Sequence, residues 1–339
     1  MTLGLQKYKV PVWFLPALGY AISIGSLVWV LQDVDASTMW ADLRGLHWGW
    51  VGLAVAGDIL TYVIQGWRWN MLLSPVVRVP IWRSIQAVYV GLFANEVLPL
   101  RPGEVIRSYL QARWSSLPFS VTFSSAIIER IIDGLWLMLA FFVTAAFVTL
   151  PGVIMDIAKL VAVVVVLFAV FLGLVMFRKG HAHAIGSKTR WGAHIKVLIE
   201  DLHLMGNSRS FYGAAFASLP YLLIQVVPVY GLMRAYGLDL SVWPAMVVLL
   251  ILRIGTVVPQ APGNLGAAQA LIVLALGLFG VDKTTATGVS LMTWTVITMP
   301  LLVAGAIALA FTGLKLGDLK DHANAHMAAA PIATAEAQN

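Results

Sequence analysis

Two stretches far apart in the chain share one pattern: Val97-Leu98-Pro99-Leu100-Arg101-Pro102-Gly103-Glu104-Val105 and Val257-Val258-Pro259-Gln260-Ala261-Pro262-Gly263-Asn264-Leu265. Both read apolar, apolar, Pro, x, x, Pro, Gly, polar, apolar. Proline lacks an N–H and its ring clashes with the preceding turn, and glycine then enters conformations that other residues avoid. Each stretch therefore interrupts a helix, with Pro99, Pro102 and Gly103 as hinge residues of the first break and Pro259, Pro262 and Gly263 of the second. Each also lies in the middle of an apolar region, 85–114 and 244–280.

The surroundings of the breaks are those of a membrane protein. The chain has 339 residues, of which 60% are hydrophobic and 11% charged, against about a quarter charged in ordinary soluble domains. A soluble sphere cannot hide so much apolar surface. A hydrocarbon core of about 30 Å needs roughly 20 helical residues, and apolar runs of that order lie near 10–31, 49–73, 120–150, 157–177, 210–236 and 285–313. The first follows Lys7 and Lys9. It is longer than a signal-peptide core of roughly 7–15 residues and is followed by no A-x-A cleavage site, so it reads as a retained span. The chain has no cysteine, which excludes disulfides and thiolate metal sites, and its net charge of +6 sits mostly beside apolar runs, where it orients spans rather than binding nucleic acid.

Basic residues set the topology. Lys7 and Lys9 place the N-terminus inside; loop 32–48, with Asp33, Asp35 and Asp42 against Arg44, is outside. Arg68, Arg78 and Arg83 mark the next inner edge, the basic loop 178–209 another, and Lys315 and Lys320 a third. The count closes when each broken region enters and leaves on one face. The expected fold is all-α and polytopic, with about six full transmembrane helices plus two re-entrant helical hairpins; paired tilted spans in place of the hairpins keep the same parity. Span–hairpin–span occurs at about 49–150 and again, inverted, at about 210–313, within one membrane domain, 1–314. Many secondary transporters are built this way. Residues 315–339 are expected to form a disordered cytoplasmic tail. The two breaks should meet near mid-membrane, where half-helix N-termini present unpaired N–H groups and partial positive charge, a seat for an anion.

Ionisable groups inside a bilayer are expensive and mark a cavity or a partner. Asp58 lies within the second span. Glu96 precedes the first break, and Arg101, Glu104 and Arg107 follow it. Glu129, Arg130 and Asp133 lie well inside the third span, with Glu129 and Asp133 on one helix face and Arg130 within pairing distance of Asp133. Arg253 precedes the second break and has no sequence neighbour of opposite sign. Two readings of these groups are open: a binding site, with the guanidinium groups suited to bidentate contact with phosphate, or a self-neutralising structural cluster with Arg101 and Arg107 snorkelling to headgroups. No Walker A, H-E-x-x-H or G-x-S-x-G pattern is present, so neither a catalytic set, nor a metal site, nor a cofactor is expected.

The run Asn95-Glu96-Val97-Leu98-Pro99-Leu100-Arg101-Pro102-Gly103-Glu104, then Arg107, then Glu129-Arg130-x-x-Asp133, resembles the N-x-x-L-P-x-R-x-G-E-x-x-R and E-R-x-x-D pattern of the lysylphosphatidylglycerol synthase transmembrane region, also called the flippase-like domain family. Pro259-x-Ala261-Pro262-Gly263-x-Leu265-Gly266 is similar to its later P-x-x-P-G-x-x-G element. The resemblance covers about 10–313. It implies lipid handling: translocation of an anionic or aminoacylated phospholipid, or of a polyprenyl- or hopanoid-type lipid, between leaflets of a bacterial cytoplasmic membrane, with both termini inside. The chain has no region resembling the synthase domain, so lipid aminoacylation is not expected of it. The expected substrate-binding residues are Asn95, Arg101, Glu104, Arg107, Glu129, Arg130, Asp133, Arg253 and Asn264, with Asp58 for coupling or charge balance. Membrane lipids are the expected partners, together with a lipid-modifying enzyme or glycosyltransferase, and no nucleic acid. The alternatives are an ion-coupled carrier of a small anion and an accessory subunit of lipid glycosylation.

Overall fold

The computed structural model describes residues 14–98, 101–177, 208–255 and 261–319, together with 321 and 325. Pro99, Pro259, Lys7, Lys9, most of the basic loop and most of the tail lie outside the described residues. Among those described there are helices and no strand. They are α1 (Phe14–Leu31), α2 (Ala36–Arg44), α3 (Trp48–Leu73), α4 (Ile81–Val97), α5 (Gly103–Ser115), α6 (Phe119–Phe147), α7 (Gly152–Phe177), α8 (Arg209–Ile224), α9 (Val226–Ala235), α10 (Val242–Gly255), α11 (Ala267–Gly277) and α12 (Lys283–Ala310), with a 3-10 turn at Pro262–Asn264.

Three stretches, Gly152–Phe171, Arg209–Ala235 and Lys283–Ala310, are long and apolar enough to cross a membrane by length and composition alone. Helices α3 and α6, of 26 and 29 residues, have the length. Their mean hydropathy is lowered by the charges they carry, and Asp58, Arg68 and Glu129 are buried in the protein rather than facing out. The outward faces are apolar: Leu53, Ile59 and Leu60 on α3, Leu139 and Phe142 on α6, and Leu160, Val164 and Leu167 on α7 are all exposed. A multi-pass helical membrane protein is the result.

Both broken regions turn back. At 17 and 13 residues, α4 and α5 are about 25 and 20 Å long, and they pack against each other. Arg83 at the start of α4 sits over the ring of Trp114 near the end of α5, 4.9 Å from its centroid, so this pair begins and ends at one face. With 14 and 11 residues, α10 and α11 are shorter still. Trp243 at the start of α10 stacks on Phe147 at the end of α6, 4.2 Å between centroids. The packing is paired across the two halves: α3 lies against α8 and α9, α4 against α12, and α10 against α6.

Two expectations need correcting. Loop 32–48 is not a plain loop, because it holds α2, bent 86° from α1. Asp35 caps α2, accepting from the amides of Ser37 and Thr38, and the hydroxyls of Thr38 and Ser37 help hold its carboxyl down at about 2. The boundary at 314/315 does not mark the end of order either. Leu319 is fully buried, and with Leu314 and Leu316 it packs on the cluster around Trp69, Ile106 and Phe119. An apolar residue at the root of the tail is drawn in by that cluster.

Candidate functional site

The first break runs from the end of α4 to the start of α5. Its left-handed residue is Arg101, φ 51°, rather than a glycine. Gly103 serves a different need. A Cβ there would strike the carbonyl oxygen of Gly91 and come within 2.6 Å of the Asn95 carboxamide, so only glycine lets α5 start this close to α4. Asn95 Oδ1 accepts from the Gly103 amide at 2.7 Å, which ties the end of one half-helix to the beginning of the next.

The second break passes through Gly263 (φ 73°), Asn264 (φ 52°) and Gly266 (φ 89°). Here glycine does supply the left-handed conformation. The turn is held from outside its own hairpin. Trp294 on α12 donates to the Gly263 carbonyl at 2.7 Å. Ser23 on α1 accepts from the Ala261 amide at 3.0 Å, and its carbonyl abuts Gly266. The amide of Gly266, the residue just before α11, donates to Gln269 Oε1 at 2.6 Å. One amide at each break is thus already met, that of Gly103 by Asn95 and that of Gly266 by Gln269, and a buried donor left unmet would be costly.

The two breaks open onto one cavity of about 410 Å³. Asn95, Glu96, Arg101, Glu104 and Arg130 line it from the first half, and Arg253, Gly263 and Asn264 from the second, with Tyr62, Gln65, Tyr221 and Trp294 completing the wall. Gly263 lies close to Glu96: a Cβ on it would be 3.7 Å from Glu96 Oε2. That oxygen has no hydrogen-bond partner among the described residues. Arg253 donates to Gln225 Oε1, at the junction between α8 and α9.

Behind the cavity, six side chains form a closed ring of alternating charge. Arg68 Nη2 donates to Glu129 Oε1 at 2.6 Å, and the other Glu129 oxygen accepts from Arg107 Nη2 at 2.7 Å. Arg107 Nε donates to Glu104 Oε2 at 2.7 Å. Glu104 pairs with Arg130 at 3.3 Å and Arg130 with Asp133 at 3.6 Å. Asp133 closes the ring on Arg68. Arg68 also donates to Ser218 Oγ at 2.6 Å. The inner members are covered by aromatic faces, Arg68 by Tyr221 at 4.3 Å and Arg107 by Trp69 at 4.5 Å.

The sequence-read residues thus divide. Asn95, Arg101, Glu104, Arg130, Arg253 and Asn264 line the cavity. Arg107, Glu129 and Asp133 lie in the ring and are not among the cavity's lining residues; three positive and three negative groups neutralise one another, which is what the structural reading of that cluster describes. Asp58 sits beside the cavity, buried, with the Tyr62 hydroxyl hydrogen-bonded to its carboxylate and its Oδ2 without a partner among the described residues. Arg68 is the residue that sequence reasoning misplaced. It reads as a marker of the inner edge, yet it is only 2% exposed and pairs with both acids of α6. The signal was available: Glu129 and Asp133 share a face and need a basic partner on another helix, and Arg68 is the one basic residue of α3.

The family model of the lysylphosphatidylglycerol synthase TM region matches residues 17–305, a stretch that holds both breaks, the ring and the cavity. The chain belongs to this family. A UPF0104 membrane protein of Methanothermobacter thermautotrophicus is 20% identical over 325 residues, which is 91% of this chain and 96% of that protein. Another, from Methanocaldococcus jannaschii, is 22% identical over 264 residues, 72% of this chain and 79% of that protein. No solved structure gives a significant match to the chain.

Proposed function

We propose that this chain is a membrane lipid translocase that carries an amphiphile with an anionic, phosphate-bearing headgroup between leaflets, without chemical conversion of the lipid and without a cofactor. One observation carries the reading: two broken helices, one from each half, wall a single cavity that holds three arginines, Arg101, Arg130 and Arg253, among helices whose outer faces are apolar. Guanidinium groups match phosphate oxygens two at a time and stay charged away from water. Glu96 and Glu104 offset two of the three positive charges, and an aminoacylated headgroup would find its ammonium partner in them. Asp58, buried, bonded to the cavity-lining Tyr62 and incompletely hydrogen-bonded, is the group we assign to coupling.

In this reading α1, α3, α6, α7, α8–α9 and α12 are six full spans, α4–α5 and α10–α11 are re-entrant from opposite faces, and the two halves form an inverted repeat. Both termini lie in the cytoplasm and the membrane is the cytoplasmic one of a bacterium. A lipid-modifying enzyme or glycosyltransferase would supply or consume the cargo. The test is reconstitution of the purified chain into vesicles carrying a headgroup-labelled phosphatidylglycerol. Leaflet exchange well above that of empty vesicles is expected, falling by about tenfold or more in Arg101→Ala and Arg253→Ala while thermal stability holds. Exchange equal to empty vesicles across several headgroups defeats the reading, and proton-driven uptake of a water-soluble anion would replace it with the carrier.

A further inference from the structure

A second cavity, of about 360 Å³, lies between α6 and α7. Its floor on α6 is the stripe Phe123, Ile127, Ile131 and Gly134, at helical spacing, and Val165 and Phe168 of α7 form its far wall. Glycine at 134 leaves the helices in close contact there, since a Cβ would sit 3.3 Å from Val165 Cγ1. Helix α7 leans chiefly on α6 and exposes most of its surface, including Leu160, Val163, Val164, Leu167 and Phe168. The groove therefore opens onto hydrocarbon.

Among the described residues its polar lining is Glu104 and Arg130, and these same two residues line the central cavity. They are paired with each other at 3.3 Å, and Arg130 is 40% exposed. Their ion pair is longer than the 2.6–2.7 Å pairs that bury Arg68 and Arg107 in the same ring. A guanidinium at the end of an apolar groove open to lipid is expensive unless an opposite charge meets it, and Arg130 is met by the two longest bonds of the ring, Glu104 at 3.3 Å and Asp133 at 3.6 Å.

From this continuity we infer that the groove between α6 and α7 is the lateral doorway of the translocase: it seats a hydrocarbon chain of a phospholipid whose phosphate is held at Arg130, and the Glu104–Arg130 pair parts to admit the headgroup to the central cavity. The inference rests on the lipid reading above and adds where the lipid enters and which segment of it binds where. A water-soluble anion would have no use for this groove.

The absence of cysteine from the sequence makes the test direct. Val165→Cys provides a single thiol in the groove, to be capped with an octyl chain through a reducible disulfide. In vesicles, exchange of headgroup-labelled phosphatidylglycerol by this variant is expected to fall at least about tenfold on capping, relative to the same variant uncapped, and to return with reductant. The same cap on Leu60→Cys, on the lipid-facing side of α3, should change exchange by less than about twofold. A second measurement does not depend on transport. Phosphatidylglycerol carrying a diazirine on its acyl chain, activated by light, should label the groove stripe of α6 and α7 about fivefold more than Ile59 and Leu60, and the octyl cap should abolish the excess. An ineffective cap on a protein that exchanges lipid overturns the inference, as does equal labelling of the two faces. If the uncapped protein exchanges no lipid, the transport reading fails and the photolabelling alone decides the groove.

Discussion

The two breaks carry the same nine-residue pattern and are built differently. The first is held from within its own hairpin: Asn95 of α4 caps α5, and Gly103 lies against Gly91 with no room between them. The second is held by helices outside its hairpin, by Ser23 of α1 and Trp294 of α12. They also differ in charge. The first brings Glu96, Arg101, Glu104 and Arg107 and is anchored to a ring of six ions; the second contributes Arg253, Asn264 and backbone. A shared Pro-Gly pattern specifies where a helix stops. What the stop is used for is decided by its neighbours, and here one half supplies most of the charge and the other a single arginine and the wall that faces it.

Substitutions can break this contrast. The largest effect is expected at Glu129, which joins Arg68 to Arg107. Glu129→Gln leaves two buried guanidinium groups undercompensated and should cost about 3–5 kcal/mol of stability, read as thermal or denaturant unfolding of the purified protein in detergent. Among the described residues the second half holds no such ring, so Arg253→Gln should leave stability within about 1 kcal/mol; a loss as large as that of Glu129→Gln would mean that both halves rest on charge.

Next come the two glycines that occupy the same position of the shared pattern. Gly103→Ala forces α4 and α5 apart and should cost about 3 kcal/mol, at the upper end of overpacking. Gly263→Ala has room for its methyl group and meets only the left-handed backbone, about 1–2 kcal/mol. If both cost the same, the breaks are equivalent and the contrast fails. The smallest effect is expected at Ser23→Ala, which removes one hydrogen bond from the second break and should cost about 1 kcal/mol. Faster amide hydrogen exchange should accompany it around 261–266 and be absent around 101–105.

Much of this architecture is legible in the sequence, and the reasons for the failures are specific. Proline and glycine act locally, so the positions of the breaks can be read from the chain, and the long apolar runs coincide with long helices. Arg68 could not be placed by the same local logic. A basic residue near the end of an apolar run looks the same whether it meets headgroups or a carboxylate on another helix, and only the unpaired acids of α6 distinguish the two. Gly103 was legible as essential but for the wrong reason, because close approach to Gly91 is a tertiary fact. Asn95, read as a ligand for cargo, borders the cavity and also caps α5, so that one amide at each break is already met by a side chain. The ring makes the same point for Arg107 and Glu129: inside a membrane, charge patterns alone do not separate a binding site from a strut.

The Ser23 contact carries a consequence for how the protein is made. Its partner, Ala261, lies 238 positions further along the chain. At about 5–20 residues per second, a ribosome needs roughly ten seconds to the better part of a minute to cover that distance. During that interval the first helix waits in the bilayer with its hydroxyl unanswered, and the second elbow cannot lock until synthesis has passed it. Assembly of the cavity is therefore a late event that joins the beginning of the polypeptide to its closing quarter, and a chain stalled before α11 would hold the charged half of the site opposite Tyr221 and Arg253 but without the turn at Gly263 and Asn264.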